Sequence, residues 1–83
     1  RPPATATLHC DASDTGWGGV LNHGERFAPA AGFWTPSEHR LHITAKELRA
    51  VRYTVAHFAP QLAGHRVKLH EDNAAVAWIL THL

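Results

Sequence analysis

Three acidic residues hold positions where a metal-binding carboxylate can be fixed. Asp11 follows the extended run Thr5-Ala6-Thr7-Leu8-His9-Cys10, Glu47 lies at the opening of the most regular helical pattern, and Asp72 follows the short run Arg66-Val67-Lys68-Leu69-His70-Glu71. A strand–helix–strand unit can bring all three together despite their separation in sequence. Converging carboxylates repel one another unless cations neutralise them. A hard divalent cation with a preference for oxygen ligands, Mg2+ or Mn2+, does so. The pattern puts metal-dependent phosphodiester cleavage first among the chemistries to consider.

Each carboxylate also has a plainer reading. Asp11 alone is a turn residue after a strand. Glu47 completes a Thr44-Ala45-Lys46-Glu47 capping-box spacing, and a cap is worth about 1 kcal/mol. Asp72 alone is a helix N-cap. Glu47, however, precedes Val51 by four residues, Thr54 by seven and Phe58 by eleven, which sets it at the edge of a buried helix face. A carboxylate facing a sheet needs a partner, and a metal is one candidate.

The elements that must position these groups follow from periodicity. Ala6, Leu8 and Cys10 alternate with Thr7, His9 and Asp11, as a strand over 5–12 requires. Asp14-Thr15-Gly16 reads as a turn, Trp17 to Leu21 as a second strand, and Asn22-His23-Gly24 as another turn. Glu25 to Trp34 carries a third strand made irregular by Pro29, and Thr35-Pro36-Ser37-Glu38 reads as a loop. A helix is expected from Thr44, with Leu48, Val51, Val55, Phe58 and Ala59 as its buried stripe and Pro60 and Gly64 as its end. Residues 65–71 read as a fourth strand, and Asp72 or Asn73 can cap a last helix containing Val76, Ile79, Leu80 and Leu83. A helix between the first and fourth strands makes their parallel pairing the default.

Bulk properties set bounds. Eighty-three residues, 45% of them apolar, suit one small globular domain over 1–83. A net charge of +1 announces no basic nucleic-acid stripe, although metal ions can supply positive charge at a carboxylate site. The grouped Lys46, Arg49, Arg52, Arg66 and Lys68 read as a solvated helix face and strand edge. The single cysteine, Cys10, excludes an internal disulfide framework and reads as a small buried hydrophobe. No stretch approaches the roughly 20 apolar residues of a membrane span, so no membrane partner is expected. The eight histidines, among them the pair His39 and His42 and the neighbours His9 and His70, raise zinc binding. No Cys/His spacing resembles a finger or knuckle, and most histidines are expected to be surface groups. The chain begins at Arg1 and stops inside an apolar helical run, so a piece of something longer is expected.

Leu8-His9-Cys10-Asp11-Ala12-Ser13-Asp14-Thr15-Gly16-Trp17-Gly18-Gly19-Val20-Leu21 resembles the first strand and hairpin of the ribonuclease H-like domain, in the variant that follows reverse transcriptase in retrotransposons of the DIRS and Gypsy-like types. His42-Ile43-Thr44-Ala45-Lys46-Glu47-Leu48-Arg49-Ala50-Val51 is similar to its helix with the catalytic glutamate, and Glu71-Asp72-Asn73-Ala74-Ala75-Val76 to its fourth-strand Asp-Asn motif. The resemblance implies an α/β fold with a mixed sheet in the order 3-2-1-4: a three-stranded antiparallel meander, a parallel fourth strand, a crossover helix and a C-terminal helix. It maps Asp11, Glu47 and Asp72 onto the catalytic metal ligands and suggests Asn73 and the backbone near Ser13 to Gly16 for hybrid binding. It implies hydrolysis of RNA in an RNA–DNA hybrid with two Mg2+ or Mn2+ ions, and an intracellular setting, nucleus or cytoplasm, for a retroelement product.

Against the family pattern, a later helix with a fourth carboxylate and a fifth strand are missing, and Glu71 adds a negative charge beside Asp72. An exposed fourth-strand edge is a template for pairing, so a homodimer through that edge or the last helix is expected. The alternative to an active ribonuclease H-type hydrolase is a truncated, inactive fold serving as a binding or assembly module. A histidine-based metal domain unrelated to nucleases is the third reading.

Overall fold

The computed structural model describes residues 4–71. Asp72, Asn73 and the expected last helix therefore lie outside the described residues. Within them the chain runs β1 (Ala6–Ala12), β2 (Gly16–His23), β3 (Arg26–Phe33), α1 (Pro36–His39), α2 (Ile43–Leu62) and β4 (Val67–His70). The four strands form one sheet in the order β3-β2-β1-β4. β1–β2 and β2–β3 pair antiparallel. β1 and β4 pair parallel, with Leu8 opposite Leu69 and His9 opposite His70. The expected meander, parallel fourth strand and strand order are all present.

One face of the sheet carries α2. Ala6, Leu8, Leu21 and Phe58 form the main core cluster, with Ala28, Ala30, Leu62 and Leu69 packed against it, and Cys10 joins Val51 beside it. The alternation in β1 thus points as its sequence dictates: Leu8 and Cys10 inward, His9 and Asp11 outward. The helix comes close at Gly19, where any side chain would collide with Thr54. Gly19 is therefore the seat of α2 on the sheet, the role expected of a glycine inside a strand. Gly24 turns the β2–β3 hairpin with a φ of 63°, in the left-handed region open to glycine.

Several boundaries differ from the sequence reading. α2 starts one residue before Thr44, because His42 is its N-cap and its Nδ1 accepts the Thr44 amide at 3.1 Å. Thr44 and Glu47 therefore do not form a capping box. A capping box does exist in the segment read as a loop: Thr35 caps α1, its hydroxyl accepting the Glu38 amide at 3.2 Å while the Glu38 carboxylate accepts the Thr35 amide at 3.0 Å. Pro60 lies inside α2, which continues to Leu62. A proline so near the end removes little of the ladder. The buried stripe of α2 is Lys46, Glu47, Ala50, Val51, Thr54 and Phe58, whereas Val55 is 41% exposed. The helix is turned so that its polar N-terminal residues face the sheet. Among the described residues, no helix is long and apolar enough to cross a membrane.

Candidate functional site

Asp11 sits near the end of β1, the central strand on which both β2 and β4 pair. Its side chain is exposed, and Oδ1 accepts the Ala12 amide at 2.9 Å. This short local bond engages one oxygen of an exposed carboxylate at the strand end. Glu47 lies in the second turn of α2, only 6% exposed, at the same end of the sheet. Its Oε2 is buried with no donor among the described residues. What surrounds it is negative. Burial first, then the charges of Glu71 and Asp11, push the Glu47 carboxyl up to about 7, while the Ala12 amide pulls the other way. An acid in that setting is short of positive charge.

The structure thus brings Asp11 and Glu47 together and adds Glu71, which the sequence reading held only to be an extra charge. The strand period contains the signal: Val67, Leu69 and Glu71 share a face, so Glu71 points to the helix side where Glu47 stands. Among the described residues no group of three or more His, Cys, Asp or Glu side chains is arranged to hold a metal ion. The third carboxylate expected there, Asp72, is outside them.

Two features next to the site were not apparent in the sequence. Lys46 is buried, 5% exposed, and its Nζ reaches the Asp14 carbonyl at 3.5 Å. It is no part of a solvated basic face, but ties the β1–β2 turn to the start of α2. Trp34 does the same from the other side: its indole N–H donates to the Ser13 carbonyl at 2.8 Å and its amide to the Thr15 carbonyl at 3.0 Å. Ser13 and Gly16 close the turn on themselves. The Ser13 amide donates to the Gly16 carbonyl at 2.8 Å, and the Ser13 hydroxyl accepts the Gly16 amide at 3.2 Å. Both amides are thereby engaged, so what the turn offers outward is shape. It lines a groove of about 480 Å³ together with Asp11, Gly18 and Phe33. Phe33, 89% exposed, forms an apolar wall of it.

A buried acidic hub anchors the approach to α2. Glu38 accepts from Arg49 at 3.1 Å, from the Tyr53 hydroxyl and from the Thr35 amide. Chiefly the Tyr53 bond, then the Thr35 amide, hold its carboxyl down at about 2. Tyr53 packs against Trp17 and Trp34, with ring centres 5.8 and 6.4 Å away. Cys10 is buried, and burial pushes its thiol up, which suits a core residue and not a nucleophile.

A mixed sheet in the order 3-2-1-4, with a helix packed over β1 and acidic residues at the β1 end and the helix start, is the ribonuclease H-like α/β fold. The chain matches the family model described as the RNase H-like domain found in reverse transcriptase over residues 1–82, and it belongs to that family. No curated protein matches it.

Proposed function

We propose that this domain, taken as one unit over 1–83, is the metal-dependent nuclease module of a reverse transcriptase polyprotein, hydrolysing the RNA strand of RNA–DNA hybrids. The observation that carries the reading is Glu47: a buried carboxylate with an oxygen lacking any donor among the described residues, set beside Asp11 and Glu71. A buried ionised group without compensation costs several kcal/mol, roughly, and a cation removes that cost. The donor set is all oxygen, which suits Mg2+ or Mn2+. Asp11 and Glu47, with Asp72, would hold it. A hard divalent cation there supplies activation of water and neutralisation of charge at the leaving 3′ oxygen.

The residues of the chain then have separate tasks. Asp11 presents an exposed carboxylate near the end of the central strand. Glu47 acts in its ionised form, which a neighbouring cation favours over the protonated one. The turn at Ser13 to Gly16 and the groove beside it receive the hybrid by shape, with Asn73 as a further contact. Recognition through backbone and 2′-OH, without base readout, fits such a surface. The test is cleavage of a labelled hybrid in Mg2+ or Mn2+. Wild type is expected to cleave and Asp11→Asn to be reduced to background. Equal cleavage by the two proteins refutes the assignment.

The second reading is a fold that binds without cutting, within a larger assembly or as a dimer through the β4 edge. It draws on the described residues, which do not by themselves form a three-ligand group. Binding of Mn2+ and hybrid without cleavage by wild type supports it, and a concentration-independent monomer in light scattering rules out the dimer.

A further inference from the structure

The face of the sheet turned away from α2 carries rings at two opposite corners. On β3 the outward residues Phe27, Pro29, Ala31 and Phe33 are all exposed, Phe33 at 89% and Phe27 at 69%. On β1 and β4 the register partners His9 and His70, both exposed, stack with ring centres 4.7 Å apart and planes within 5°. β4 lies on one side of β1 and β2 on the other. With one face of the His9 ring covered by His70, the opposite face turns toward β2.

Two grooves cross this surface. One, of about 480 Å³, has Phe33 as a wall and Gly16, Gly18 and Ala31 as its floor. The other, of about 420 Å³, runs over Val20 and Pro29 to His9 and His70. Asp11 and Gly18 line both, so the two form one trough that passes the carboxylate at the end of β1. Its floor is open: a methyl on Gly18 would meet nothing closer than the Ala30 carbonyl at 4.0 Å. His9 is level with Val20 and Pro29, whereas Phe33 is level with Gly16. Two strand spacings across and four residues along put Phe33 and His9 roughly 17 Å apart, room for a few nucleotides.

We propose that this trough binds an unpaired nucleic-acid strand, with bases stacked on Phe33 and on the open face of His9. Every base has a π-face, and sheet surfaces that expose aromatic rings bind single strands through it. Leu69 packs against the core, so its neighbour Lys68 points outward, exposed and level with Thr7, and offers a cation to the phosphates. Asp11 is the one acidic side chain lining the trough. A protein partner fits this face less well. A stable interface buries about 800 Å² per partner around an apolar core, whereas here the rings stand apart on a glycine floor that leads to the acidic corner. The strand is the unpaired continuation of a hybrid held at that corner. In purpose the inference rests on the nuclease reading, while the binding itself is measured without cleavage.

Fluorescence anisotropy of labelled oligo(dT) and oligo(rU) with the full chain in EDTA tests it. Metal-dependent cleavage is silent there, so failure of the nuclease reading leaves the result untouched. Wild type and Asp11→Asn are expected to bind both strands. Phe33→Leu keeps apolar bulk and removes the ring; it and His9→Ala should each weaken binding about tenfold, the worth of one stacked base. Phe27→Leu, outside both grooves, should bind as wild type does. No binding by wild type overturns the proposal. Wild-type affinity in Phe33→Leu or His9→Ala, the mark of a general polyanion surface, overturns it too. So does a dimer in light scattering that is lost in Phe33→Leu, since a second copy then covers the face. Should Phe33→Leu fail to fold, ring-proton NMR of the wild type decides: shifts of Phe33 and His9 on adding oligo(dT) sustain the site, and their absence dismisses it.

Discussion

Two buried glutamates nine residues apart live in opposite surroundings. Glu38 is met by a guanidinium, a phenol and a backbone amide, and its carboxyl is held down at about 2. Glu47, in the second turn of α2, meets among the described residues other carboxylates and one opposing amide, and is pushed up to about 7. The first is the usual structural solution, in which both carboxylate oxygens find donors. The second departs from that rule, and departures of this kind cluster at sites that work on something external. The same fold supplies both: the Glu38 hub fixes the approach to α2, and α2 then carries Glu47 to a corner where its Oε2 finds no donor among the described residues.

The contrast can be broken most sharply at Glu47. A carboxyl held at about 7 when folded, against an ordinary 4.5, binds more protons folded than unfolded between those values. Stability of the metal-free protein therefore falls as pH rises through that window and levels off above it. Glu47→Gln should abolish hybrid cleavage, yet flatten this slope and leave the metal-free protein at least as stable at pH 8. Unfolding midpoints measured from pH 4.5 to 8 check it. A variant with wild-type slope would show that Glu47 is not the stressed group.

A middle-sized effect is expected from the seat of the helix. Gly19→Ala drives a methyl into Thr54, whereas Gly18→Ala, on the other face, has its nearest neighbour 4.0 Å away. Overpacking costs about 1–3 kcal/mol, and each kcal/mol moves Tm by roughly 4–8 °C in a domain of this size. Only Gly19→Ala should lower Tm, and by lifting α2 it should weaken cleavage too. Equal Tm values for the two variants would contradict the close approach.

The smallest effect sharpens the Glu38 side. A carboxyl depressed from 4.5 to about 2 contributes stability that is present above the ordinary value and lost as pH falls toward 2. Glu38→Gln should lose stability at neutral pH and show a shallower acid branch between pH 4.5 and 2. An acid branch as steep as wild type would place the lost proton linkage elsewhere.

Much of this contrast could be read in the sequence on one side and little on the other. The period-two pattern of Ala6, Leu8 and Cys10 fixed the inward face of β1, because a strand has only two faces. Glu47 could be placed at the border of the buried helix stripe by counting to Val51, Thr54 and Phe58. The Glu38 hub was hidden, since a four-residue helix shows no periodicity and its partners Arg49 and Tyr53 belong to another element. The true N-cap was hidden because an imidazole nitrogen replaced the usual hydroxyl or carboxylate, so Thr44 drew the boundary one residue late. Lys46 looked like part of a basic surface and turned out to be buried, an outcome that depends on which way the helix is rolled about its axis.

The position of β1 has its own consequence. Asp11 rides on a strand held from both flanks and roofed by α2, while β4, the strand leading to Glu71, is four residues long and, among the described residues, pairs with β1 alone. The two arms of the acidic corner are thus unequal in grip: one belongs to the last part of the sheet to come apart, the other to the first. Local opening at β4 draws Glu71 away from Glu47 while the rest of the domain stays folded, so the corner can be dismantled and reassembled without crossing the barrier to global unfolding.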